Sequence, residues 1–197
     1  IHLREDRRHI IDQDLKEIKS KLKIPLNLEI AATKEMLKIA IKHKPNFVCI
    51  VPEKRKEVTT EGGLNLNHNQ IFLKKIIKKL KKNNSRVSLF IEPTITDIKI
   101  SNYLGVDGIE FHTGKICNLI NQSKPFKLAL TKLDNAVNYA TKLGLDVHAG
   151  HGLTYKSAKI ISKIKKIKEF NIGHFLIGEA IYIGLPATIK KFQKILK

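Results

Sequence analysis

The sequence predicts an α/β protein of the (β/α)8-barrel class, and three observations predict it. Short β-branched runs alternate with longer amphipathic segments along the whole chain, which is the pattern of repeated βα units and a parallel sheet. The spacing of the units is regular. The Gly-x-Gly-x-x-Gly turn that would favour an open, doubly wound sheet is absent. With 197 residues the chain is long enough for one domain with a sizeable core, yet short of the roughly 250 residues typical of a complete barrel. It opens on Ile1-His2-Leu3-Arg4, without Met, and that opening reads as the middle of a strand. The expectation is one partial domain over 1–197 that lacks its first βα unit.

Seven strands are expected in order: Ile1 to Arg4, Leu26 to Ile30, Asn46 to Val51, Arg86 to Ile91, Gly108 to His112, Asp146 to Ala149 and Glu169 to His174. Helical periodicity falls between and after them, near Asp12 to Leu22, Thr33 to His43, Asn69 to Lys82, Ile95 to Tyr103, Phe126 to Leu143, Tyr155 to Lys168 and Leu185 to Leu196. The stretch Asn121-Gln122-Ser123-Lys124-Pro125 reads as a loop leading into a long helix.

A net charge of +19 raises the question of a nucleic-acid partner. Only five of the 37 basic residues are Arg, the usual reader of phosphate forks and guanine edges. The lysines occupy helices whose other face is apolar. Leu73, Ile76, Ile77 and Leu80 make one stripe with lysines around it, and Ile160, Ile161, Ile164 and Ile167 repeat the arrangement. The charge therefore reads as solvated helix surface, with no nucleic-acid partner expected. No stretch approaches the roughly 18 to 20 apolar residues of a membrane helix, so a soluble, cytoplasmic protein with no membrane partner is expected. Cys49 and Cys117 are too few and too far apart for a disulfide framework, and Cys49 in Phe47-Val48-Cys49-Ile50-Val51 reads as a small core residue.

In a parallel barrel the active site forms at the C-terminal ends of the strands. Those ends carry His2 and Arg4, Glu29, the stretch from Pro52 to Thr60, Glu92, Glu110 and His112, His148 and His151, and Gly173 and His174. Six of the eight histidines fall in this set or, as His9, just beyond the first strand. Glu29 and Glu110 stand among apolar neighbours, where lost hydration raises a carboxyl pKa and suits it to proton transfer near neutrality. Each alone reads equally as a paired structural group; their convergence favours a site. The glycines of His148-Ala149-Gly150-His151-Gly152 and Ile172-Gly173-His174 read as turn glycines or as exposed N–H donors for a phosphate. The His148-x-x-His151 pair lacks a clear third ligand, so no metal is expected. No candidate strand interior holds a lysine, which disfavours a Schiff-base aldolase.

Seven strings in order resemble pyridoxine 5′-phosphate synthases: HLREDRRHI from His2, NLEIA from Asn27, VPEKRKEVTTEGGL from Val51, SLFIEP from Ser88, IEFHTG from Ile109, AGHGLTY from Ala149 and NIGH from Asn171. The resemblance implies condensation of 3-amino-2-oxopropyl phosphate with 1-deoxy-D-xylulose 5-phosphate, giving pyridoxine 5′-phosphate, phosphate and water with no metal or organic cofactor. It implies His2 and Glu29 as proton acceptors, His151 as proton donor and Glu110 as a stabiliser of the transition state. Arg4, His9 and Thr59 would hold the deoxyxylulose phosphate, and Gly152, Gly173 and His174 the aminoketone phosphate. A homo-octamer built from dimers is also implied, with extra helices beyond the eight units, one of them in the Lys115 to Lys142 region. His148 stands where the family pattern has Asn. The alternatives are another phosphosugar-handling barrel, an isomerase or aldolase, and a basic nucleic-acid-binding protein.

Overall fold

The computed structural model describes residues 1–53 and 62–197. These form two compact units, one of Ile1–Glu92 with Thr96–Glu110 and the other of Pro93–Ile95 with Phe111–Lys197.

The first unit begins with Ile1 to Arg4, where the sequence predicts a strand. The structure has a single parallel bridge there, His2 to Glu29. Glu29 N–H donates to Ile1 O at 2.8 Å and Leu3 N–H to Glu29 O at 3.2 Å. The ladder goes no further, because the chain turns at once through the bond from Arg7 N–H to Arg4 O. Helix α1 (Asp12–Lys21) follows, with the Asp14 carboxylate accepting the Ile11 N–H at 2.8 Å. Strand β1 (Asn27–Ala31) pairs in parallel with β2 (Phe47–Val51), and β2 with β3 (Arg86–Ile91). Helix α2 (Lys34–His43) starts at Thr33, whose hydroxyl accepts the Met36 N–H, and ends at Lys44 in the left-handed region. Helix α3 (Gln70–Lys82) buries Leu73, Ile76, Ile77 and Leu80, the stripe its spacing predicts, and leaves its lysines exposed. Helix α4 (Ile95–Leu104) leads to β4 (Gly108–His112), whose first three residues close this unit in the strand order β1-β2-β3-β4. All five residues of β4 are buried, as in a parallel strand covered on both faces.

In the second unit the order continues from the end of β4 through β5 (Asp146–Gly150) to β6 (Glu169–Asn171), with β5 and β6 parallel. Helices α5 (Gly114–Asn121) and α6 (Lys127–Lys142) lie between β4 and β5 in the chain, so the region expected to hold an extra helix does so. Helix α7 (Tyr155–Ile161) opens on a reciprocal cap: Ser157 N–H donates to the Thr154 hydroxyl oxygen and Thr154 N–H to that of Ser157. It is shorter than the predicted helix to Lys168. After Ile161 the backbone tightens into bonds such as Ile164 N–H to Ile161 O, which bring Lys168 N–H to Val147 O beside β5. The strand expected to run to His174 stops at Asn171, and His174 instead opens α8 (His174–Ile183), followed by α9 (Leu185–Leu196).

Candidate functional site

Each unit gathers a separate cluster of the residues singled out in the sequence. In the first, the parallel bridge brings His2 beside Glu29, with His2 Nδ1 3.6 Å from Glu29 Oε2. On its other side the ring meets Glu53, which lies in the strand-end stretch Pro52 to Thr60 but has no role assigned to it from the sequence, at 3.0 Å from Nε2 to Oε1. The Glu53 side chain is almost fully buried, and its second oxygen accepts the Glu5 N–H at 2.9 Å. Glu29 lies in register with Cys49 on β2. The Cys49 thiol donates to Glu110 Oε2 at 3.5 Å, so the small core residue is also a partner of a candidate catalytic carboxylate. Burial first, and then the Glu110 and Glu29 carboxylates, push that thiol well above its usual pKa, so it keeps the hydrogen it gives.

The loop after His2 is pinned by Arg7, which has a left-handed backbone. Its guanidinium donates to Asp12 at 2.8 Å, Glu35 at 2.6 Å and Glu5 O at 2.8 Å, and it holds Asp12 below the usual carboxylate range. Arg4 pairs with Asp6 at 3.2 Å, with its guanidinium partly exposed, and His9 is exposed. Thr59 lies outside the described residues. Glu92, at the end of β3, accepts the Gly63 N–H at 2.7 Å and so ties down the chain that returns toward α3.

In the second unit the turn after β4 packs on the turn after β5. Thr113 N–H donates to Gly150 O at 2.8 Å, and the Thr113 hydroxyl is shared between Gly150 O and His151 O. His151 and Gly152 both take the left-handed conformation, at φ 72° and 75°. A β-carbon on Gly152 would come 3.1 Å from that of Cys117 and 3.2 Å from the Gly114 α-carbon. The His151 ring stacks at a tilt on His112, centroids 4.8 Å apart. His151 is exposed along one side, yet the protein atoms around it lower its pKa by desolvation, with His112 and His174 adding to the effect. Gly173 caps the N-terminus of α8 and His174 is its first residue, both exposed, so this turn offers N–H groups to an anion. His148 is buried on β5, 3.9 Å from Glu169.

Glu53 and Gly114 fall inside stretches singled out in the sequence but carry no assigned role there, and the His112 contact with His151 is not legible in it. Glu53 carried a weak signal, since it lies at the end of a strand where such sites form. Among the described residues no group of three or more His, Cys, Asp or Glu is placed to hold a metal ion, and no helix is long and apolar enough to cross a membrane. None of the six strands among the described residues contains a lysine, so none of them supplies a Schiff-base amine from the sheet.

Residues 1–197 match the family model described as "Pyridoxal phosphate biosynthesis protein PdxJ". The pyridoxine 5′-phosphate synthase of Pelagibacter ubique is 55% identical over 195 residues, covering 99% of this chain and 82% of that protein. The enzyme of the same name from Zymomonas mobilis is 50% identical, covering 99% of this chain and 75% of its own length. Among solved structures, the tryptophan synthase A-subunit of Pyrococcus furiosus superposes with a TM-score of 0.58 at 14% identity, over 93% of this chain and 70% of that one. The 3-keto-L-gulonate-6-phosphate decarboxylase of Vibrio cholerae gives 0.56 at 15%, over 85% and 72%. Both are barrel enzymes, and at this identity they show the fold alone: α/β, of the barrel class the sequence predicts.

Proposed function

The chain belongs to the family of the pyridoxal phosphate biosynthesis protein PdxJ, and from that membership we infer that it is a pyridoxine 5′-phosphate synthase. The reaction joins 3-amino-2-oxopropyl phosphate to 1-deoxy-D-xylulose 5-phosphate and releases pyridoxine 5′-phosphate, phosphate and water. Closing the ring requires an amine to condense with a ketone, a carbon–carbon bond to form, and water and phosphate to leave. Each step moves a proton, so the chemistry is acid–base work, and we assign it no metal or organic cofactor.

The observation that carries the reading of the site is the approach of His2 to Glu29. An imidazole and a carboxylate at that distance, both partly open to solvent, suit proton removal from a bound substrate. Glu110, buried with the Cys49 thiol donating to it, is placed to stabilise a developing cation. His151 is the proton donor in this reading, and its lowered pKa makes its protonated form a stronger acid. Arg4, His9 and Thr59 hold the deoxyxylulose phosphate; Gly152, Gly173 and His174 hold the aminoketone phosphate, whose charge suits the N-terminus of α8. The 197 residues are read as one partial barrel domain of a cytoplasmic homo-octamer built from dimers.

The test is to supply the purified protein with both phosphorylated substrates and follow pyridoxine 5′-phosphate by absorbance and mass. Product is expected, and its rate is expected to fall at least about 100-fold in Glu29→Gln and in His151→Asn. Wild-type turnover in both variants would overturn the assignment of the site, and no product from the folded parent protein would overturn the reaction.

A further inference from the structure

We propose that Glu53 is a positioning residue that fixes which nitrogen of His2 carries the proton, and so which nitrogen acts as the base. The inference rests on the reading of His2 as a proton acceptor.

Glu53 follows β2 by two residues and reaches across β1 to the His2 ring. Its side chain is 4% exposed, against 26% for His2 and 28% for Glu29. Both oxygens are engaged from that side, Oε1 by His2 Nε2 at 3.0 Å and Oε2 by the Glu5 N–H at 2.9 Å. An ionised carboxylate can only accept hydrogen bonds. The hydrogen between His2 and Glu53 therefore sits on Nε2, and in the neutral ring the lone pair is left on Nδ1. Nδ1 is the nitrogen that faces Glu29, at 3.6 Å. The buried carboxylate is thus on the far side of the imidazole from the candidate base, in the relation that the orienting carboxylate of a catalytic triad has to its histidine.

The proton bookkeeping is simple. A substrate proton moves to Nδ1 of His2, its electron pair stays with the substrate, and His2 becomes an imidazolium that keeps its Nε2 hydrogen. Glu53 stabilises that cation without taking the proton. Nδ1 then passes its proton to Glu29 or to water, and the neutral ring returns with the same nitrogen free. Without Glu53 the ring is able to turn or change tautomer, presenting an N–H where a base is needed.

The test begins with the unmodified protein labelled with nitrogen-15 histidine. Nuclear magnetic resonance of the neutral His2 ring is expected to show hydrogen on Nε2, and a ring protonated on Nδ1 would overturn the proposal whatever any variant does. In Glu53→Gln, which keeps an oxygen for the Glu5 N–H, we expect kcat to fall about 100-fold or more with KM changed less than about threefold, together with loss of the single tautomer. Wild-type kcat and an unchanged His2 spectrum in that variant would also overturn it. His2→Asn and Glu29→Gln separate the two levels of the argument. If they lose activity while Glu53→Gln keeps it, only the role of Glu53 falls; if His2→Asn is fully active, the reading of His2 falls and this inference falls with it.

Discussion

A single carbon added at Gly114 is expected to disturb two histidine rings at once. A β-carbon there would lie 2.8 Å from His112 Nε2 and 2.9 Å from His151 Cδ2, so both rings would have to move. Its backbone is not left-handed, and it is the first residue of α5, where alanine is a better helix former than glycine. Gly114→Ala is therefore expected to lower kcat about tenfold or more through displacement of the His151 ring, while the better helix propensity offsets only part of the stability lost by forcing the buried His112 ring to shift. Gly105→Ala is the control. That position has φ +80° and nothing within 4 Å of the added carbon, so strain of about 1 kcal/mol should lower the unfolding midpoint and leave the rate intact. Measuring turnover and thermal midpoint for both variants decides it, and equal loss of activity in the two would refute the link from Gly114 to His151. The sequence could not show this, because Thr113-Gly114 reads as any turn before a helix until the turn after β5 is seen against it. The role of Glu53 was hidden for a related reason: it is one acid in the polar strand-end stretch Pro52 to Thr60, and only the approach of His2 singles it out.

At the scale of elements, what was legible depended on contrast between faces. Helix α3 alternates apolar and lysine positions sharply, and its predicted stripe is the buried one. Ile76→Ala there is expected to cost about 2–5 kcal/mol, the transfer term plus the cavity left behind. Lys78→Ala, on the opposite, exposed face, is expected to change stability by less than about 0.5 kcal/mol. Urea unfolding of the two variants measures both, and comparable losses would mean that the face assignment is wrong. Helix α8 lacked that contrast. His174-Phe175-Leu176-Ile177-Gly178 and the residues after it are apolar almost without interruption, so no period of 3.6 stands out, and Gly178 counts further against a helix. It buries none of its residues, with Ile181 and Tyr182 largely exposed. The end of α7 was missed for the opposite reason. The isoleucine period continues to Ile167 and Ile167 is indeed buried, but by a chain already turning toward β6.

At the scale of the whole chain, a charge of +19 at pH 7 makes each further proton unwelcome in the folded state. Two histidines resist protonation locally, and desolvation is the first cause at both. His43 is lowered by burial and then by Lys42, and His151 by desolvation and then by His112 and His174. A histidine whose folded pKa lies below its unfolded value of about 6.5 contributes nothing to the pH dependence above that value, where both states are neutral. As pH falls below about 6.5 the unfolded chain takes up the proton first, so stability is lost until the folded value is passed. The thermal midpoint is therefore expected to drop as pH falls below about 6.5, well above the range in which Asp6 and Asp12 protonate, since Arg4 and Arg7 hold their carboxyls low. His43→Asn and His151→Asn should each flatten the slope. Salt separates the causes. Added salt screens the repulsion among exposed charges and should raise the midpoint at every pH, but the first cause at both histidines is desolvation, which salt does not relieve. The slope should accordingly survive at about 0.5 M salt; a slope that vanishes there would place its origin in the lysine-rich surface and not at His43 and His151.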